Sequence, residues 1–276
     1  MADLFWVDGR LGGLVPPDDR GLALADGVFE TLKVIDGELA CRRLHQERLA
    51  LGLRVLQFPS GAATAKVALD AAIDCVLACQ PRATGTLRLT VTRGSGPRGY
   101  GIPPDVVPRS IVRFSPGTVT ASSRARLTVG DLVWSEQPSY HGCKLLTRTE
   151  QVLALANARA AGFDEVIMPD REGNWLSTGS GNLFIRRGNA LVTPPIGPAG
   201  IAGTRRRAIV EKWAEHLGYQ MLVEPISPTD ALAADEAFFC NAVIGIRGID
   251  TIDGKVFSEH VAADRLAAVI HGDWWS

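Results

Sequence analysis

His141-Gly142-Cys143-Lys144-Leu145-Leu146 sets one amine among small and apolar neighbours, and two further segments follow it in order. These are Ser177-Thr178-Gly179-Ser180-Gly181-Asn182-Leu183-Phe184 and Gly200-Ile201-Ala202-Gly203-Thr204-Arg205-Arg206. An amine held where water is scarce gives up its proton more readily, because burial penalises the charged form. It can then condense with a carbonyl and shuttle protons. Taken alone, a lysine beside two leucines fits better the exposed start of a helix. Only the rest of the chain separates the two readings.

Across 276 residues, apolar side chains make up 46% and charged ones 21%, the balance of an ordinary folded protein with room for two medium domains. A formal net charge of -1 gives no electrostatic case for nucleic acid or an anionic membrane surface, so small molecules are the default partners. Met1-Ala2-Asp3-Leu4-Phe5-Trp6 shows no basic segment leading into an apolar one, and no apolar run is long enough to span a bilayer. Five scattered cysteines, Cys41, Cys75, Cys79, Cys143 and Cys240, make no disulfide framework and predict a reduced, cytoplasmic setting. Cys75 and Cys79 lie in an apolar helical stretch and read as buried small hydrophobes. The five histidines form no HExxH pair and no cluster at ligand spacing, which argues against a catalytic metal.

Gly27 to Ile35 alternates apolar with polar residues and runs into Asp36-Gly37, a strong hairpin signal. Arg43 to Phe58 carries leucines at helical spacing and predicts a helix stopped by Pro59, with a second helix over Ala62 to Cys79. Strands return at Gly85 to Arg93 and Ser110 to Phe114, separated by a Gly/Pro-rich loop from Gly94 to Pro104. Farther on, Thr147 to Ala160, Gly203 to Leu217 and Ser258 to His271 read as helices. Glu165 to Met168, Asn182 to Ile185, Ala190 to Thr193, Tyr219 to Glu224 and Glu236 to Cys240 read as strands, with a second hairpin turn at Asp253-Gly254. Such irregular alternation predicts two α+β domains rather than a doubly wound sheet. Their expected bounds are 1–117 and 124–276, with Lys144 in the second and a linker at 118–123.

Gly200 to Thr204 supplies small residues before a helix start, where backbone N–H groups and the helix dipole would face a phosphate; a tight glycine turn is the other reading. No Gly-Lys-Ser/Thr ends that loop, so it is not a nucleotide-binding P-loop. Arg48, on a helix whose other side is leucine-rich, could fork onto a phosphate or stand solvated. Asn241-Ala242, ending a very apolar strand, marks a site or a satisfied turn. Arg98 and Tyr100 offer a cation and a hydroxyl suited to a carboxylate, unless they merely decorate a surface loop. Ser180 lacks a Gly-x-Ser-x-Gly setting and leads into a strand, unlike a hydrolase nucleophile.

Asp19-Arg20-Gly21-Leu22-Ala23-Leu24-Ala25-Asp26-Gly27-Val28-Phe29-Glu30-Thr31 resembles the opening signature of the class IV, or fold type IV, pyridoxal-phosphate enzymes. These include branched-chain and D-amino-acid aminotransferases and aminodeoxychorismate lyase. The likeness continues in order through His45 to Leu49, Lys144, Asn182 to Phe184, Ile201 to Arg206 and Asp235 to Phe238. Thr92 to Tyr100 and Lys144 to Leu153 look most like the lyase branch, as does Phe239-Cys240-Asn241-Ala242. The resemblance implies a two-domain α+β fold of the D-amino-acid aminotransferase kind. It also implies pyridoxal 5'-phosphate held between the domains and a homodimer in which the loop of Arg98 and Tyr100 crosses to the other subunit. Lys144 would hold the cofactor and move protons. Arg48, Ser177, Thr204, Arg205, Asn241 and Ala242 would surround the cofactor, while Arg98, Tyr100 and Phe29 would meet substrate.

The implied activity is the folate-pathway conversion of 4-amino-4-deoxychorismate to 4-aminobenzoate and pyruvate. The alternatives are a class IV aminotransferase acting on D-amino acids, branched-chain acids or amines, or a cofactor-binding protein without turnover. One departure bears on this choice. Ser177 stands where most members of the family place a Glu that pairs with the pyridine nitrogen. A hydroxyl cannot keep that ring cationic as a carboxylate does, so the electron sink is weaker. Transamination depends on that sink, whereas the lyase reaction ends in an aromatic ring that supplies its own driving force. Phe29 likewise differs from the Tyr of the D-amino-acid enzymes.

Overall fold

The computed structural model describes residues 2–105, 107–117, 124–197 and 199–272, so the expected linker at 118–123 lies outside the described residues. Two compact units emerge. One holds the chain up to Gly117 together with Cys143–Thr147, and the other holds 124–142 and the chain from Arg148 onward.

The first unit is built on an antiparallel sheet of β1 (Leu4–Val7), β2 (Arg10–Leu11), β3 (Gly27–Ile35), β4 (Glu38–Leu39), β5 (Gly85–Thr92) and β6 (Arg109–Pro116). The strand order is β2-β1-β6-β5-β3-β4. Before β3 comes the short helix α1 (Arg20–Leu24), and α2 (Arg42–Val55) and α3 (Gly61–Cys79) lie between β4 and β5. Asp36 and Gly37 close the β3–β4 hairpin with φ of 50° and 89°, the double positive φ that a two-residue turn needs to follow strand twist. Val28, Leu32 and Val34 are buried with Leu87, Leu89 and Val91 of β5 and Val112 and Phe114 of β6, a period-two pattern that turns one sheet face toward α2 and α3. Helix α2 ends at Val55, short of Pro59, because Gln57 takes a left-handed φ of 57° and Phe58 N turns back to Leu53 O. On α3 the inward face is carried by Leu69, Ala72, Ile73 and Val76. Cys75 is therefore only half-buried and Cys79 exposed, not buried as the apolar run suggested.

Lys144 belongs to this first unit rather than to the second, contrary to the expected division. The cause is backbone pairing. Phe29 N donates to Lys144 O at 3.0 Å, Leu146 N donates to Gly27 O at 3.1 Å, and Val28 and Leu145 form an antiparallel bridge. Gly27 permits the approach, since a Cβ there would meet Val91 O at 2.5 Å and Leu146 Cδ1 at 3.0 Å.

The second unit carries a nine-stranded mixed sheet. Its strands are β7 (Ala125–Val129), β8 (Glu165–Pro169), β9 (Trp175–Thr178), β10 (Asn182–Arg187), β11 (Ala190–Thr193), β12 (Gln220–Val223), β13 (Glu236–Asn241), β14 (Gly245–Ile252) and β15 (Lys255–Val256). They run in the order β12-β11-β10-β13-β14-β7-β8-β9, with β15 paired to β14. The helices are α4 (Thr149–Ala160), α5 (Thr204–Ala208), α6 (Ala214–His216), α7 (Pro228–Ala233) and α8 (Val261–Gly272), and a π-helical turn over Ile209–Trp213 joins α5 to α6. The core of Leu183, Ile185, Val192, Phe239, Ile249 and their neighbours packs around β10 and β13. Phe184 and Phe238 stack at 5.0 Å where those strands pair.

Candidate active site

In the first unit the Lys144 amine stands 4.3 Å from the centre of the Phe29 ring, and Arg88 of β5 lies 3.9 Å from the same ring. The lysine is half-buried, its backbone fixed by the pairing to β3. An aromatic face attracts an ammonium and excludes water from one side of it. Phe29 is thus brought to Lys144.

Arg48 occupies a different setting from a solvated helix face. Period-two alternation carries Glu30 onto the helix-facing side of β3, between Val28 and Leu32, and α2 presents His45 and Arg48 one turn apart. Arg48 Nε donates to Glu30 Oε1 at 2.8 Å and Nη2 to Oε2 at 2.5 Å, while His45 Nδ1 lies 2.7 Å from Oε2. Burial alone would raise the Glu30 carboxyl, but Arg48 and His45 outweigh it and hold it down to about 2. The guanidinium is therefore gripped on two nitrogens, which fixes its plane. Glu30 and His45 stand in the family-like stretches of the sequence but were given no role there; the available signal for Glu30 was a lone acid among the buried positions of β3.

Arg98 and Tyr100 stand exposed on the loop after β5, with Tyr100 89% accessible.

In the second unit, Asn182 begins β10 opposite Cys240 of β13 and donates from Nδ2 to Ile201 O at 3.0 Å. This ties the Gly200 to Gly203 turn to the sheet. A Cβ on Gly203 would fall 1.8 Å from Asn182 Oδ1, so only glycine lets the two meet. Thr204 and Arg205, both buried, begin α5 directly after Gly203, which offers no side chain to cap the helix amides. Helix α5 packs on β13, whose last residue is Asn241. Asn241 donates to Ser180 O at 3.2 Å, and its Oδ1 accepts from Val243 N and Ile244 N at 3.0 and 2.9 Å, closing a turn around Ala242. Burial pushes the Cys240 thiol up to about 12 against the pull of Arg206 and Arg205, so this sulfur is chemically quiet. Thr204, Arg205, Asn241 and Ala242 are thus drawn toward one end of the β10–β13 pair, while Arg206 is engaged by Thr193 Oγ1 and Pro194 O.

Ser177 is buried on β9, where its hydroxyl donates to Thr178 O at 3.0 Å. Nearby, Glu165 of β8 accepts from Ser180 Oγ and from Val166 N, and burial raises its carboxyl above the ordinary range. Among the described residues no three metal-binding side chains gather into a site, and no helix is long and apolar enough to cross a membrane.

The amino-transferase class IV profile matches residues 27–252. The chain belongs to that family. An aminodeoxychorismate lyase of Vibrio harveyi is 30% identical over 260 residues, covering 92% of this chain and 94% of the relative. A D-alanine aminotransferase of Bacillus licheniformis is 24% identical over 242 residues, covering 86% and 83%. Among solved structures, 4-amino-4-deoxychorismate lyase from Pseudomonas aeruginosa superposes with a TM-score of 0.86 at 33% identity, covering 98% of this chain and 99% of that one. The fold is accordingly that of the fold type IV enzymes, and the cofactor of the family is pyridoxal 5'-phosphate. The residues present fit that group. Within the first unit a half-buried lysine against an aromatic ring suits an aldehyde, and within the second a helix start with glycine at its N-cap and a buried arginine in its first turn suits a phosphate.

Proposed function

We propose that this protein is a pyridoxal-phosphate-dependent lyase that converts 4-amino-4-deoxychorismate to 4-aminobenzoate and pyruvate. The observation that carries the choice is Ser177, a buried hydroxyl engaged with Thr178 O where a carboxylate would favour transamination. The likeness to two lyases across nearly the whole chain supports it.

When bound, pyridoxal phosphate supplies an electron-withdrawing ring joined to the substrate nitrogen. Lys144 would hold its aldehyde end, with Thr204, Arg205, Asn241, Ala242 and Arg48 at its phosphate. The Lys144 amine would take the proton from the amine-bearing ring carbon of the substrate. The C–O bond to the enolpyruvyl group then breaks, leaving the aromatic 4-aminobenzoate. Lys144 returns a proton to the departing three-carbon unit, which leaves as pyruvate. Phe29 walls the amine from water, and Arg98 with Tyr100 holds a substrate carboxylate.

A product assay with 4-amino-4-deoxychorismate, run beside a panel of amino donors, tests this reading. Purified protein should release pyruvate from that substrate, and Lys144→Ala should lose both turnover and the visible absorbance of covalently held cofactor. Conversion of the cofactor to its amine form by an amino acid, without pyruvate release from 4-amino-4-deoxychorismate, would instead identify a transaminase.

A further inference from the structure

The stretch from Asp18 to Arg20 is stitched to the loop that carries Arg98 and Tyr100, all within the first unit. Arg20 N donates to Gly94 O at 2.8 Å, Gly96 N to Asp18 O at 3.3 Å and Ser95 Oγ to Asp18 Oδ1 at 2.9 Å. The Arg20 side chain goes further. Only 4% exposed, it gives Nε to Asp26 Oδ2 at 3.0 Å and directs its two terminal nitrogens at loop carbonyls, Nη1 to Gly99 O at 3.0 Å and Nη2 to Tyr100 O at 3.4 Å. Asp26 also accepts from Arg93 Nε at 2.7 Å, so the carboxylate that orients Arg20 is itself fixed at the root of the loop. Gly96 allows this closeness, for a Cβ there would meet Arg20 Cδ at 2.8 Å.

A buried guanidinium committed to carbonyls holds a backbone, not a ligand. The two carbonyls directly follow Arg98, yet the side chains of Arg98 and Tyr100 point into solvent. The loop backbone is therefore pinned while the groups suited to an anion stay available.

We propose that Arg20 is a positioning residue: its guanidinium clamps the Gly99–Tyr100 backbone so that Arg98 and Tyr100 form a preset receptor for a substrate carboxylate. This rests on the substrate role given to those two side chains above. An unclamped loop must be ordered at each binding event, which weakens binding without touching the proton transfers at Lys144.

Arg20→Lys keeps a cation for Asp26 but lacks the fork that spans both carbonyls, and Arg20→Gln removes the charge as well. In cofactor-free and cofactor-loaded protein, hydrogen exchange of the amides from Gly96 to Gly101 should quicken in both variants, more in Arg20→Gln, with the amides of α2 unchanged. KM for 4-amino-4-deoxychorismate should rise on the order of tenfold with kcat and cofactor absorbance retained, as misplacing a binding group predicts. Arg98→Ala should raise KM similarly, and adding Arg20→Lys to it should raise KM little further. Unchanged loop exchange in Arg20→Lys would overturn the clamp. Loosened exchange with unchanged KM would overturn its role in substrate binding. An unchanged KM in Arg98→Ala would show that the fault lies with the substrate reading of the loop, and would remove the positioning role with it.

Discussion

Glu30 is the residue on which the first unit spends a buried charge. Its carboxyl, held down to about 2 against an ordinary value of 4.5, contributes stability that is complete above about 4.5 and is lost as pH falls toward about 2. Denaturation midpoints measured across that window should fall. Glu30→Gln should flatten the fall and cost on the order of 3 kcal/mol at neutral pH, because Arg48 loses its buried partner. The proposed role of Ser177 concerns chemistry rather than stability. If its hydroxyl is what disfavours transamination, Ser177→Glu should speed the conversion of bound cofactor to its amine form by amino acids and leave pyruvate release no faster, as single-turnover spectra would record. Ser177 could be singled out from its spacing to Asn182. Glu30 could not, since its importance depends on two side chains from another element meeting it.

Among the elements, the turn from Gly200 into α5 is the least tolerant of a methyl group. Gly203→Ala would place a carbon 1.8 Å from Asn182 Oδ1 and push the helix start off β10. A loss of about 1–3 kcal/mol is expected in unfolding experiments, together with weaker retention of cofactor phosphate in dialysis. The hairpin of β3 and β4, the helices α2 and α3 and the strands β5, β6, β10, β11 and β13 were legible within a few residues, because period, proline and Asp-Gly turns act locally. Strands β7, β9 and β14 were not. Strands β7 and β14 lie inside a mixed sheet and pair with each other from distant positions, Ala125 with Ile249, while β9 is a four-residue strand at the sheet edge, so little in their own composition marks them. The π-helical turn between α5 and α6 was equally silent in a stretch that reads as one helix.

At the scale of the whole molecule, the proposed homodimer makes a plain forecast: light scattering on the cofactor-loaded protein should report twice the mass of one chain. A stable monomer with full activity would remove the idea that the Arg98 loop serves a neighbouring subunit. The family and its cofactor were legible in the sequence alone, because several short motifs in one fixed order constrain chemistry even when their spatial arrangement is unknown. Tertiary structure alone decided that Cys143–Thr147 is an added lane beside β3, that Glu30 joins Arg48 and His45, and that Arg20 reaches the Gly99 and Tyr100 carbonyls. The physical reason is common to all three. Each depends on hydrogen bonds between segments far apart in the chain, whose geometry exists only after the sheet has set the register that brings them together.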